Sequence, residues 1–201
     1  MATIAVLGTL DSKGEEHGYV ADLIRKRGHQ TLLIDVGSGA PPSIQPDVTR
    51  EEVAKAAGID LAPLIERKDR GECVAAMAKA SAVLLEKLVS EKKIDGVIAL
   101  GGGGGTAIAS AAMRALPVGF PKVLVSTMAA GNVAPYLGTK DIVMIPSISD
   151  VAGLNRLSRV IFANAAGAIS GMVETKVDAA ESKPLIVGSM IGNTTACVTE
   201  A

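Results

Sequence analysis

Residues 94–116 read IDGVIALGGGGGTAIASAAMRAL. The first seven are mostly apolar, the pattern of a strand buried on both faces, and 106–116 are small residues spaced for a helix. Between them stand Gly101, Gly102, Gly103, Gly104 and Gly105, so a strand passes into a helix through a glycine turn. That is half of a βαβ unit, and the rest of the chain repeats the alternation. Residues 3–8 (TIAVLG), 31–36 (TLLIDV), 122–126 (KVLVS) and 142–145 (IVMI) predict four further strands. Helices are predicted over 15–27, 50–57, 71–92 and 151–173, and the Pro/Gly-rich residues 37–46 read as loop. The order implies an α/β, Rossmann-like fold: a mainly parallel sheet with helices on both faces, a three-layer sandwich. Residues 184–201 predict a new strand, a turn and the start of a helix. The expected organisation is therefore an amino-terminal nucleotide-binding lobe over 1–183 and a second, truncated lobe opening over 184–201.

Composition narrows the partners. The 201 residues hold 20 Lys and Arg against 21 Asp and Glu, a net charge of −1, with a pI near 6.1. That balance disfavours a broad basic face for nucleic acid. With two Phe, two Tyr and no Trp, there is almost nothing on which bases could stack. Mean hydropathy is +0.36, yet each apolar run is broken well short of the ~20 residues of a spanning helix. No signal-peptide pattern opens the chain, so a cytoplasmic protein without membrane contact is expected. Cys73 and Cys197 make no metal or disulfide spacing and read as reduced, buried thiols. His17 and His29 have no partner at a diagnostic spacing and are expected at the surface or at helix ends. Neither a G-x-S-x-G elbow nor an H-E-x-x-H pair occurs, and no general base can be named. Gly167 and Gly171 form a G-x-x-x-G within a predicted helix, suited to close packing on the sheet or on another subunit, which makes a homo-oligomer plausible.

Three turns can carry chemistry. Successive glycines let backbone approach a ligand closely, and the free N–H groups and dipole of the following helix favour an anion. Thr106 can either cap that helix or donate to a phosphate oxygen. The turn is not a Walker A loop, because no Lys follows the glycines. It is a weak dinucleotide fingerprint, because Thr106 occupies the third glycine position and the next strand ends in Ser126-Thr127-Met128 without a carboxylate. The first turn, Gly8-Thr9-Leu10-Asp11-Ser12-Lys13, offers a hydroxyl, a carboxylate and a cation at the same sheet edge. Lys13 can neutralise phosphate, and Asp11 can hold Mg²⁺ or cap the helix. Asp35 closes the second strand, where it can serve a ribose or simply start a turn. The third turn, running from Ser126 to Gly131, adds Thr127 and Met128.

On these residues the chain resembles the amino-terminal part of the UPF0261 family, the Tm-1-like ATP-binding domain proteins. The resemblance rests on GTLDSK (8–13), GGGGGT (101–106), STMAAGNVAPYLG (126–138) and PSISDVAGLNRLSRVIFANAAGAISGM (146–172), and covers nearly the whole chain. It implies a two-lobed Rossmann-like protein of which this chain is the first lobe plus the start of the second, with ATP as the ligand and the second lobe of the same protein as a partner; Mg²⁺ is the cofactor that the Asp11 reading adds. Some relatives carry or accompany a TIM-barrel domain, a candidate further partner. The plant branch inhibits tobamovirus RNA replication, a role not carried over. Ser12 stands where the family motif GTxDTK has Thr, which keeps the hydroxyl. Ala130 stands where STMASG has Ser, which removes one. The expected function is MgATP binding, with the question of an enzymatic role left open and no reaction named. The alternatives are a nucleotide-controlled regulatory module, or an enzyme acting on a phosphosugar or small organic acid.

Overall fold

The structure is a computed structural model and describes residues 1–177, 192 and 194–200. Along the chain run strand β1 (Thr3–Gly8), helix α1 (Leu10–Lys26), β2 (Gln30–Asp35), α2 (Arg50–Ala56), α3 (Ala62–Arg67), α4 (Arg70–Ser90), β3 (Gly96–Gly101) and α5 (Gly103–Ala115). Then follow β4 (Lys122–Ser126), a 3-10 turn (Thr127–Ala130), α6 (Ala134–Leu137), β5 (Val143–Pro146), α7 (Arg156–Glu174) and α8 (Thr195–Glu200). The five strands form one parallel sheet in the order β2-β1-β3-β4-β5.

Why the central strands are continuous apolar runs is plain from their packing. Alternate residues of β1 and β3 enter two different cores. Ala5, Leu7, Val97 and Ala99 meet α2, α4 and α5 on one face. Ile4, Val6, Ile98 and Leu100 meet α1 and α7 on the other. Burial on both faces is what a parallel sheet with helical crossovers demands. The expected three-layer α/β sandwich is thus present.

Local signals account for several ends. Thr49 and Glu52 form a reciprocal capping box at the start of α2, and Asn155 with Ser158 does the same for α7. That second box starts α7 at Arg156 rather than at residue 151. Helix α1 begins five residues earlier than the apolar periodicity suggests. Its first turn is separated from the rest by a break at Lys13 (φ −137°, ψ 28°), which interrupts the pattern. Helix α3 was not expected. It is six residues long with no fully buried side chain, so it leaves no apolar period to read.

Three further expectations need correction. His17 and His29 are buried, at 0 % and 8 % exposure, because α1 turns His17 onto β1 and His29 lies beside the amino end of the sheet. Cys73 is buried as expected, but Cys197 is exposed on α8. Gly167 and Gly171 do not serve packing on the sheet. Among the described residues, a Cβ at Gly171 would meet nothing within 4 Å, and one at Gly167 only Arg27 at 3.9 Å. The strand expected over 185–188 lies outside the described residues. Among those that are described, no helix is long and apolar enough to cross a membrane.

Candidate nucleotide site

β1 and β3 are neighbours in the sheet, but their chains leave in opposite directions. β1 feeds α1 on one face, and β3 feeds α5 on the other. This is the topological switch point of an open parallel sheet, where a crevice opens beyond the carboxyl ends of the strands. A cavity of about 750 Å³ occupies it. The amino-terminal turns of α1 and α5 form two walls through Thr9–Lys13 and Gly102–Gly105, and the α3–α4 elbow with Ser38 and Gly39 forms the others.

The five glycines do different work. A Cβ on Gly101 would stand 2.8 Å from the Gly105 carbonyl carbon, so this residue must be Gly for α5 to double back on its strand. Gly102 is the N-cap and has no side chain to satisfy the helix's first amides. At Gly103 a Cβ would meet nothing within 4 Å among the described residues. Internal packing therefore does not explain a glycine there. Thr106, by contrast, is fully buried. Its hydroxyl lies 2.6 Å from Ser126 Oγ and donates to Gly101 O at 3.3 Å, which ties β3, α5 and β4 together.

The first turn is divided in the same way. A Cβ on Gly8 would fall 2.0 Å from His17 Nε2, so Gly8 makes room for the imidazole and does not line the cavity. Thr9, Asp11, Ser12 and Lys13 do line it. The Asp11 carboxylate accepts from Gly39 N at 2.7 Å, and a Cβ on Gly37 or Gly39 would crowd it. Lys13 Nζ donates to Val151 O, and Glu16 accepts from Gly153 N, so both fasten the 151–153 loop onto α1. Asp35 is buried away from the cavity and accepts from Leu10 N (3.1 Å) and Gly37 N (2.8 Å). Burial raises its pKa above the ordinary carboxylate value, against the pull of those two amides and of Arg50.

The third turn stays outside the cavity. Ser126 Oγ accepts from Met128 N at 2.9 Å, and Thr127, Met128 and Gly131 line other surface. Thr127 comes closest, its hydroxyl 3.8 Å from where a Gly102 Cβ would stand. What the sequence does not reveal is the wall that the α3–α4 elbow sets beside the glycines: Lys68 and Arg70, with apolar Ile65, Cys73 and Val74, joined by Ile108 of α5 itself. Arg70 lies 31 positions before Gly101 with no motif around it, and only the α2–α4 crossover carries it there.

The family described as the "Uncharacterised protein family (UPF0261) N-terminal domain" matches residues 2–178. The chain belongs to the UPF0261 family. A UPF0261 protein of Clostridium tetani is 49 % identical over 193 residues, covering 96 % of this chain and 48 % of that protein. One from Rhizobium meliloti is 45 % identical over 199 residues, covering 99 % and 49 %. The ToMV susceptible protein tm-1(GCR26) of Solanum lycopersicum is 32 % identical over 216 residues, covering 96 % and 28 %. This UPF0261 chain thus spans about half the length of the bacterial relatives it matches.

Proposed function

We propose that this UPF0261 domain binds ATP as its magnesium complex in the crevice between β1 and β3. The supporting observation is Gly103: it opens a helix with no side-chain cap and borders the cavity with free space on its Cα. The phosphates take the amides of Gly102–Gly105, where the α5 dipole adds to the attraction. The Thr9 and Ser12 hydroxyls supplement them from α1. The apolar wall of Val36, Ile65, Val74 and Ile108 suits the uncharged end of a nucleotide.

The donor set suits magnesium that arrives on the phosphates. Asp11 and Asp150 border the cavity, and among the described residues no cluster of three or more His, Cys, Asp or Glu forms a self-sufficient site. Magnesium commonly takes one or two carboxylates and completes its shell with phosphate and water. When bound it would neutralise phosphate charge. The protein's part is to hold the triphosphate and exclude water.

Thermal shift with MgATP, ADP, AMP, NAD and a panel of phosphosugars and organic acids tests the reading. MgATP at one hundred times its Kd should stabilise the fold by about 2.7 kcal/mol. Gly103→Val should abolish that shift while leaving the unliganded melting temperature close to wild type. A larger shift with NAD or a phosphosugar than with MgATP would overturn the ligand, and an unchanged shift in the variant would overturn the glycine site.

A further inference from the structure

We propose that Arg70 reads the terminal phosphates of the bound nucleotide and so makes the site prefer a triphosphate over a monophosphate. The inference rests on the nucleotide reading above and assigns a specificity residue within it.

Arg70 stands at the first position of α4 and borders the cavity. Its Nη2 lies 3.4 Å from where a Cβ on Gly104 would be, so the guanidinium rests against the first turn of α5. A cation is poorly placed there. The positive end of its own helix and that of α5 both repel it. Local acids do not relieve the charge. Glu72 is held by Arg67 at 2.7–2.9 Å, and Asp69 accepts from Glu72 N as the α4 cap. Among the described residues Arg70 forms no hydrogen bond or ion pair. Lys68, in the left-handed conformation (φ 55°), adds a second cation to the same wall.

Three helix amino-termini (α1, α4 and α5) and three cations (Lys13, Lys68 and Arg70) thus converge on a space bordered, among the described residues, by only Asp11 and Asp150 as acids, and Asp11 is already engaged by Gly39. A multiply charged anion satisfies this arrangement. A planar guanidinium can grip phosphate oxygens in pairs while the α5 amides beside it hold the same group. Lys13 serves the site less directly, because its ammonium is occupied by the Val151 carbonyl.

Isothermal titration calorimetry with MgATP, MgADP and AMP on wild type, Arg70→Gln and Arg70→Lys tests this. Loss of one charged contact should weaken MgATP about ten- to hundredfold in Arg70→Gln, leave AMP unchanged, and be partly restored in Arg70→Lys. Melting of Arg70→Gln without ligand should equal or slightly exceed wild type, since the side chain is exposed, makes no described hydrogen bond and is repelled by both helix amino-termini. If wild type binds no nucleotide, the site reading itself fails. If wild type binds MgATP and Arg70→Gln binds it equally, Arg70 is removed from the site while the site stands. Equal losses for MgATP and AMP would make Arg70 a support of the cavity and overturn its part in phosphate discrimination.

Discussion

His17 shows how much one residue can commit. Its imidazole is fully buried beneath Gly8, its Nδ1 lies 2.6 Å from Lys13 O, and its Nε2 makes no hydrogen bond of good geometry among the described residues. Burial lowers its pKa below 6.5, more than the Lys13 carbonyl and Glu16 raise it. The folded protein therefore keeps it neutral, while the unfolded chain takes up a proton as pH falls through 6.5. In that window the unfolded state binds more protons, so acidification costs stability, by up to about 1.4 kcal/mol per pH unit until the folded group also titrates. Denaturant unfolding between pH 7 and pH 5 should show this slope, and His17→Gln should flatten it. An equal slope in the variant would place the pH sensitivity elsewhere. From sequence, His17 looked like a surface histidine, since nothing local shows that α1 turns it onto β1.

At the scale of the element, the α5 turn separates two uses of glycine that look identical in sequence. Gly101 is required by the chain itself, since a Cβ would press on the Gly105 and Thr106 backbone at 2.8–2.9 Å. Gly103 is not required by internal packing, since a Cβ there would meet no described residue within 4 Å. Gly101→Ala should therefore destabilise the fold by roughly 1–3 kcal/mol, as overpacking does. Gly103→Val should spare stability and lose ligand. Comparing the two variants by denaturant midpoint checks this. Equal destabilisation would mean that α5 tolerates no side chain anywhere in its first turn. The glycine run is legible as a strand-to-helix turn at the sheet edge, but the division of labour within it is not. The same holds for Thr106 and Ser126. Each was readable as a phosphate contact, yet once β3 and β4 pair, their hydroxyls face each other.

Across the whole molecule, order in the sheet sets local stability. β1 and β3 have strands on both sides and helices on both faces, whereas among the described residues β5 is a four-residue edge with an exposed Val143. Hydrogen exchange should be slowest in β1, β3 and β4 and fastest in β5, because opening an edge breaks one ladder rather than two. Added MgATP should slow exchange at residues 103–105 and across the α3–α4 elbow. Protection confined to α1 would contradict the placing of the phosphates on α5. By itself the sequence determined the alternation of strands and helices, hence the parallel three-layer fold, and it marked the glycine turns at one sheet edge. Those signals are local: hydrophobic period, turn residues, caps. Only the tertiary structure decided which turns share a cavity. The order β2-β1-β3-β4-β5 puts the first turn and the glycine run side by side and moves the Ser126 turn to the far side of Gly102. The α2–α4 crossover delivers Arg70 to the glycines, and burial takes Asp35 and Thr106 out of reach. These outcomes depend on contacts between residues tens of positions apart, which no local pattern encodes.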